Sequence, residues 1–361
     1  MTHEVEIIVS HKERLTRQYG AAVFSDLEGI LHTLRQSIAD SGMESHLLWI
    51  ESVDPESVRT SILELTEEFS PRPTSVLLVG GDEVVPFFRL KNEVEDGDPY
   101  ILSDSPYSSN GPDWLIPERA VGRVPGTRNA EYLLRILTSI SEKHRAHRSR
   151  KKRGFGYSTS KWRAASKAVY TSIDLKEAIR LSPPVTKDNF RPRWLEKRAF
   201  LYFNLHGVRE RSEWYGERTP SDPDSYPPFP VALLPQLVPE VDGACVFSEA
   251  CYGGYVLDKE PQTSLALMFL YRNADCFVGS SAIAYGPCEP PSTEADLLCR
   301  YFLQYVARGA SYGNAFMNAK RDFVKKMLRT QGYLDEDDAK TLLEFNLFGD
   351  PSLRWGGEEE S

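Results

Sequence analysis

Histidine all but disappears from the second half of this chain. Seven occur (His3, His11, His32, His46, His144, His147 and His206), and only the last lies beyond position 147. A Cys-His site built wholly from that half must therefore use His206, because a thiol serves as a nucleophile only when a base holds or removes its proton. Cysteine is scarce as well. Cys245, Cys251, Cys276, Cys288 and Cys299 form an odd set with no CxxC spacing. That pattern argues against a disulfide framework, and reduced thiols in a cytoplasmic setting are expected. No metal-ligand set is read from it. No apolar run approaches the roughly 18–20 residues of a membrane span, and Met1-Thr2-His3-Glu4 lacks the basic-then-apolar pattern of a secretion signal. The net charge of −9 weighs against nucleic acid as a partner. Neither GxGxxG nor GxxxxGKS/T follows an expected strand, so nucleotide binding falls far behind other readings.

What the chain does have is an α/β rhythm. Its 361 residues, 41% hydrophobic and 26% charged, suit two domains, or one large one. Short β-rich runs at residues 5–9, 46–50 and 75–79 alternate with helical patterns at 15–41 and 55–68. In the longer helix Leu27, Ile30, Leu31, Leu34 and Ile38 recur at three-and-four spacing. Continuous apolar strands, the third ending in Gly80-Gly81-Asp82, suit a parallel sheet covered on both faces. Residues 92–126 read as loop-rich, and a further helix starts at Asn129 or Ala130. Beyond residue 150 the pattern repeats. A strand opens at Gly154 and a helix follows at 164–180. Strands come at 199–204, 243–247 and 274–279, then helices at 294–307 and 312–328. Between the halves, Lys143 to Arg153 reads KHRAHRSRKKR. A solvated helix end running into a linker is the favoured reading of this tract. An acidic partner or a basic-specific cleavage site are the alternatives. The expected domains are residues 1–150 and 151–361, and the polar tail from Gly356 reads as disordered.

Two fragments carry chemistry. Asn204-Leu205-His206-Gly207 closes one strand, and Ser248-Glu249-Ala250-Cys251-Tyr252-Gly253-Gly254 closes another. In open α/β sheets, functional groups sit just past the carboxyl ends of strands. If these two strands are neighbours, His206 and Cys251 project from one sheet edge. Gly207 then lets backbone approach closely and Gly253-Gly254 leaves room around the thiol. The N–H groups of Gly207 and Cys251 become natural donors to an oxyanion. Taken singly, each residue is more often structural, since a free cysteine usually acts as a small buried hydrophobe. It is their joint occurrence in matched settings that points to a site.

Strand-His-Gly followed by strand-Glu-Ala-Cys-x-Gly-Gly resembles the caspase-like cysteine peptidases of clan CD, and among them the gingipain-type C25 peptidases. Residues 77–86, 103–107, 121–125, 279–286 and 346–351 resemble further family blocks in the same order, so the resemblance covers nearly the whole chain. It implies an α/β fold, a caspase-like or gingipain-like three-layer αβα sandwich with mainly parallel sheets. Two subdomains are implied, the N-terminal one non-catalytic. It also implies a bacterial-type endopeptidase that works through an acyl-enzyme. Cys251 would be the nucleophile and His206 the general acid/base, with Gly207 and Cys251 as the oxyanion hole. Some members orient the histidine with a carboxylate from the region before its strand. Here residues 157–163 contain no acid, so the third member is either absent or is Asp188, Glu210 or Glu213.

Members that cut after Arg or Lys place a carboxylate in the substrate pocket. The candidates here are Asp275, Glu289 and the acidic loop of Asp96, Asp98 and Asp104. No cofactor is required. The acidic loop reads first as solvated and second as a Ca²⁺ site, which clustered oxygen ligands suit. Proline-rich residues 210–235 lie between base and nucleophile and read as a gating or substrate-binding loop, or as a plain insertion. A peptide or protein substrate is the implied partner, with a regulatory or activating protein to restrain the enzyme. The competing reading is a non-catalytic caspase-fold scaffold that binds a partner.

Overall fold

The computed structural model describes residues 4–70, 72–146 and 151–356. Strands β1 (Val5–Ser10), β2 (Glu44–Trp49) and β3 (Thr74–Val79) alternate with helices α1 (Lys12–Tyr19), α2 (Ala21–Asp40) and α3 (Pro55–Glu67). The one helix expected over residues 15–41 is two, broken at Gly20. Helix α3 starts as its sequence dictates. The Asp54 side chain accepts from Ser57 N, and Pro55 takes the first turn, where its missing N–H has no intrahelical partner to lose.

The loop-rich stretch 92–126 holds two strands: β5 (Tyr100–Ser103), which forms a hairpin with β4 (Phe88–Lys91) just before it, and β6 (Ala120–Val124), and helix α4 (Ala130–Arg145) follows as expected. The second half runs β7 (Gly154–Thr159), α5 (Arg163–Tyr170), β8 (Arg180–Ser182) and β9 (Phe200–Asn204). The helix expected to reach residue 180 stops at Tyr170, and Arg180 begins β8. A small hairpin of β10 (Trp214–Tyr215) and β11 (Val231–Leu233) follows. After it come β12 (Cys245–Ser248), α6 (Leu265–Tyr271), β13 (Cys276–Ser280), α7 (Glu294–Ala307), α8 (Tyr312–Thr330), α9 (Glu336–Glu344) and β14 (Phe345–Gly349).

Ten strands form one sheet in the order β2-β1-β3-β6-β14-β13-β12-β9-β7-β8. Every neighbouring pair is parallel except β13 and β14. That single antiparallel joint reverses strand direction between the two halves. Residues 1–150 and 151–361 therefore share a sheet, and the last strand of the chain closes the seam between β6 and β13. Strands β1, β7, β9, β12, β13 and β14 are buried along their whole length, which requires cover on both faces. Helices α2, α4 and α6 pack in series, as do α5, α7 and α8.

The basic tract is not simply a solvated helix end. Lys143 Nζ lies 2.8 Å from Asp275 Oδ1 and donates to the Asn273 and Ala274 carbonyls. His144 Nε2 lies 2.9 Å from Asp350 Oδ2, with both side chains buried. The last turn of α4 thus pins the first half to the second. Residues 147–150 of the tract, and residues 357–361 of the tail read as disordered, lie outside the described residues.

A second buried charge sits at the seam. Arg123 has no exposed surface. It grips Asp104 at two points (Nε–Oδ2 2.8 Å, Nη2–Oδ1 2.6 Å), donates to Val85 O at 2.6 Å and lies 3.8 Å from the Phe87 ring centroid. Asp104, weighed as a substrate ligand from sequence, is instead the counter-ion of a core arginine. Removing one partner of such a pair leaves an uncompensated buried charge. Arg123→Met is expected to lower the free energy of urea unfolding by about 3–5 kcal/mol. Adding Asp104→Leu should recover most of that loss.

Candidate active site

Strands β9 and β12 are parallel neighbours in register, with Cys245 opposite Phe200 and Ser248 opposite Phe203. The segments Asn204–His206 and Glu249–Cys251 therefore leave one sheet edge at one level. They touch. A Cβ placed on Gly207 would lie 2.0 Å from the Cys251 carbonyl oxygen. Cys251 stands on a tight turn in which Gly253 N donates to Ala250 O (2.9 Å) and Tyr252 adopts φ 55°. The turn is seated on β13: Gly254 N donates to Ser280 O at 2.7 Å, and a Cβ on Gly254 would lie 2.4 Å from Gly279 O. The glycine pair thus serves close backbone packing, not the open space around the thiol expected from sequence.

The Cys251 thiol donates to Ala284 O at 3.6 Å. Burial disfavours its thiolate and pushes its pKa up to about 11. The N–H groups of Gly207 and Cys251 donate to no backbone carbonyl among the described residues. They are the two donors that sequence reasoning set aside for an oxyanion.

The His206 backbone is fixed by reciprocal bonds to Tyr215 (His206 N to Tyr215 O, 2.9 Å; Tyr215 N to His206 O, 2.8 Å). Its ring packs on Trp162 (4.4 Å between centroids) and Phe229 (5.3 Å). Nε2 lies 2.8 Å from Glu217 Oε2. Glu217 also meets Lys161 at 2.8 Å. Burial alone would raise the Glu217 carboxyl, but hydrogen bonds from Lys161 and His206 more than offset it and hold it below the ordinary carboxylate range.

Glu217 was not among the expected partners. Asp188 and Glu210 are exposed, and Glu213 bonds the Tyr215 hydroxyl (2.7 Å) and Ser212 Oγ (3.0 Å). The reason is the β10–β11 hairpin. Gly216 N donates to Pro230 O and Arg218 N to Pro228 O, so the chain folds back across His206 and delivers Glu217 and Phe229 to its ring. Residues 210–235 are therefore no plain insertion. The sequence signal was the short Trp214-Tyr215 and Val231-Ala232-Leu233 runs bracketing the prolines.

The acidic loop is turned inward rather than solvated. Asp98 accepts from Tyr252 Oη (2.6 Å) and Ile283 N (2.7 Å), and Asp96 from Tyr285 Oη (2.9 Å). Lys340 Nζ bonds both carboxylates and so provides their counter-cation. The β4–β5 hairpin thereby braces the two segments on either side of the thiol, Tyr252 and Ile283–Tyr285. Asp275, another expected substrate ligand, is buried against Lys143 and the Tyr312 hydroxyl (3.1 Å). Glu289 is exposed on the loop after Ala284.

Comparison with known proteins adds three findings. Residues 238–356 match the sequence model of Peptidase family C25, a segment that holds Cys251 and β12 to β14 but begins after His206. No curated protein gives a sequence match. In structure, the chain is similar to the Arg-specific cysteine proteinase gingipain R (RgpB), with a TM-score of 0.66 at 14% identity over 98% of this chain and 78% of that one. The complex of Porphyromonas gingivalis RgpB pro- and mature domains gives 0.63 at 15% identity over 97% and 79%. A structure described only as a protease gives 0.65 at 13% identity over 98% and 78%. At such identities the likeness is one of fold. The gingipain-like α/β architecture with a large, mainly parallel central sheet extends over almost the whole chain.

Proposed function

We propose that the chain is a cysteine-type peptidase, an intracellular endopeptidase that works through Cys251 and His206 with Glu217 orienting the base; the match of residues 238–356 to the Peptidase family C25 model and the gingipain-like fold support the reading. The observation that carries the reading is the apposition at Gly207, which brings the base loop against the carbonyl of the nucleophile residue. Nε2 of His206 is committed to Glu217, so Nδ1 is the ring nitrogen left for the thiol. In the proposed cycle His206 takes the Cys251 proton as sulfur attacks the scissile carbonyl. The oxyanion receives the N–H groups of Gly207 and Cys251. Collapse of the tetrahedral intermediate breaks the C–N bond, and the imidazolium returns its proton to the departing amine. Water, deprotonated by His206, then hydrolyses the thioester and regenerates the thiol. Glu217 holds the ring and stabilises the imidazolium without itself taking a proton.

In this proposal Lys340, rather than Ca²⁺, neutralises Asp96 and Asp98. The intracellular setting rests on the cysteine usage, including the free thiols of Cys245 and Cys276, 3.5 Å apart in adjacent strands, and the bacterial-type reading on the fold shared with RgpB of Porphyromonas gingivalis. The resting thiol is bonded to Ala284 O, and burial raises its pKa, so His206 must take its proton for sulfur to attack.

Mass spectrometry of a denatured protein mixture tests the reading. The wild-type chain should generate new peptide termini and Cys251→Ala none. Glu217→Gln should lower kcat/KM by about tenfold or more, a part of the ~10²–10⁴ that positioned proton transfer supplies, with little change in the unfolding midpoint. Identical products from wild type and Cys251→Ala would sink the proposal and favour a scaffold.

A further inference from the structure

Between the segment that follows His206 and the one that follows Cys251 lies a shallow cleft open to solvent, about 290 Å³ when its open mouth is counted, with Cys251 in its wall. The charges lining it are of one sign. Arg209, Arg211 and Lys259 contribute, and no Asp or Glu does. In a chain of net charge −9 this is a local reversal. Two of the cations are held in place. Arg209 lies over the Tyr255 ring at 4.6 Å and donates to its hydroxyl at 2.8 Å, while Lys259 Nζ donates to Arg209 O at 2.8 Å. Arg211 is exposed at the rim.

None of the three has a carboxylate partner among the described residues. The acids nearest in sequence are engaged elsewhere or stand outside. Glu213 bonds Ser212 and Tyr215, Glu260 accepts from Arg128 N (2.9 Å), and Asp258 lies 4.0 Å from Arg128. Glu210 is exposed and not part of the lining.

Resting on the peptidase reading above, we propose that this cleft is a substrate subsite for an acidic side chain, Asp or Glu, next to the scissile bond. A carboxylate entering it meets two guanidinium groups and an ammonium with no competing anion, so charge-assisted hydrogen bonds offset its desolvation. A Lys or Arg side chain would meet repulsion there. The specificity elements of this site therefore run opposite to the Arg- or Lys-directed pocket that Asp275, Glu289 and Asp104 suggested from sequence.

Binding to the full-length Cys251→Ala protein tests this without turnover. Fluorescence anisotropy would compare peptide pools fixed at one position as Glu, Gln or Lys. The Glu pool should bind on the order of tenfold more tightly than the Gln pool, with the Lys pool weakest. Adding Arg211→Glu and Lys259→Glu should invert that order. Should the double change unfold the protein, Arg211→Glu alone, at an exposed position, should still lessen the preference by about threefold. Equal affinity for the Glu and Gln pools, or a preference that survives charge reversal, overturns the proposal. Failure of the peptidase reading shows itself separately, as an absence of Cys251-dependent cleavage by the wild-type chain whatever the binding preference.

Discussion

Gly207→Ala is expected to lower kcat/KM by on the order of 10²-fold or more while the protein stays folded. The added methyl would lie 2.0 Å from Cys251 O and 3.3 Å from Ala250 Cβ. The first contact is with backbone, so no side-chain rotation relieves it. Either the His206 loop or the Cys251 turn must retreat by an ångström or more. Such a shift separates base from thiol and moves an oxyanion donor. Misplacement of about 1 Å costs roughly 10²-fold where geometry is the source of rate, whereas overpacking of this size costs about 1–3 kcal/mol of stability. The measurement pairs kcat/KM with thermal unfolding. Gly29→Ala, where a Cβ meets nothing within 4 Å, serves as the control. Full activity in Gly207→Ala would mean that the two loops are not coupled through this contact.

The second large effect concerns how the thiol loses its proton. Burial destabilises the charged form, so the Cys251 pKa lies high, at about 11. At pH 7 the unaided thiolate is then on the order of one part in 10⁴, set by the four-unit gap. His206→Ala leaves ionisation by solvent as the only route. Alkylation of Cys251 in that variant should be slower than in wild type by about 10²–10⁴ at pH 7. It should climb about tenfold per pH unit as the thiolate fraction grows, and level off near pH 11. The wild-type protein should already react quickly at neutral pH. Stopped-flow alkylation after a brief pH jump, with peptide mapping, reads both profiles. Matching profiles would show that the imidazole does not serve the thiol, and a midpoint in His206→Ala near an ordinary cysteine value of about 8.5 would contradict the effect assigned to burial.

Much of this was legible in the sequence where local pattern and chemistry coincide. The apolar runs that end in Asn204-Leu205-His206 and Ser248-Glu249-Ala250-Cys251 are fully buried strands, and buried parallel strands of an α/β sheet present their carboxyl ends to a site. Helix α7 was bounded correctly because its apolar positions and the stop at Gly309 are local signals. What escaped depends on contacts distant in sequence. Strand β14 is a short run whose place between β6 and β13 is set by pairing partners more than sixty residues away on one side and two hundred on the other. Glu217 was missed because a hairpin, not a spacing, carries it to His206. Asp104, Asp275 and Lys143 read as solvated or substrate-facing charges because composition cannot tell a buried, paired charge from a free one. The same limit hid the role of Asp98, whose partners Tyr252 and Ile283 lie in the other half of the chain.

The most direct test of a His206-activated thiol at Cys251 is competition among the free cysteines. The wild-type chain would be treated at neutral pH with a limiting amount of a thiol-reactive peptide probe, and each cysteine quantified by mass spectrometry. Cys245, Cys276 and Cys299 are buried, and Cys288 is exposed, so it sets the rate for a solvent-accessible thiol. Selective labelling of Cys251, faster than Cys288 and lost in His206→Ala, is the predicted result. Labelling of Cys288 as fast as Cys251, or labelling of Cys251 that ignores His206→Ala, would contradict it.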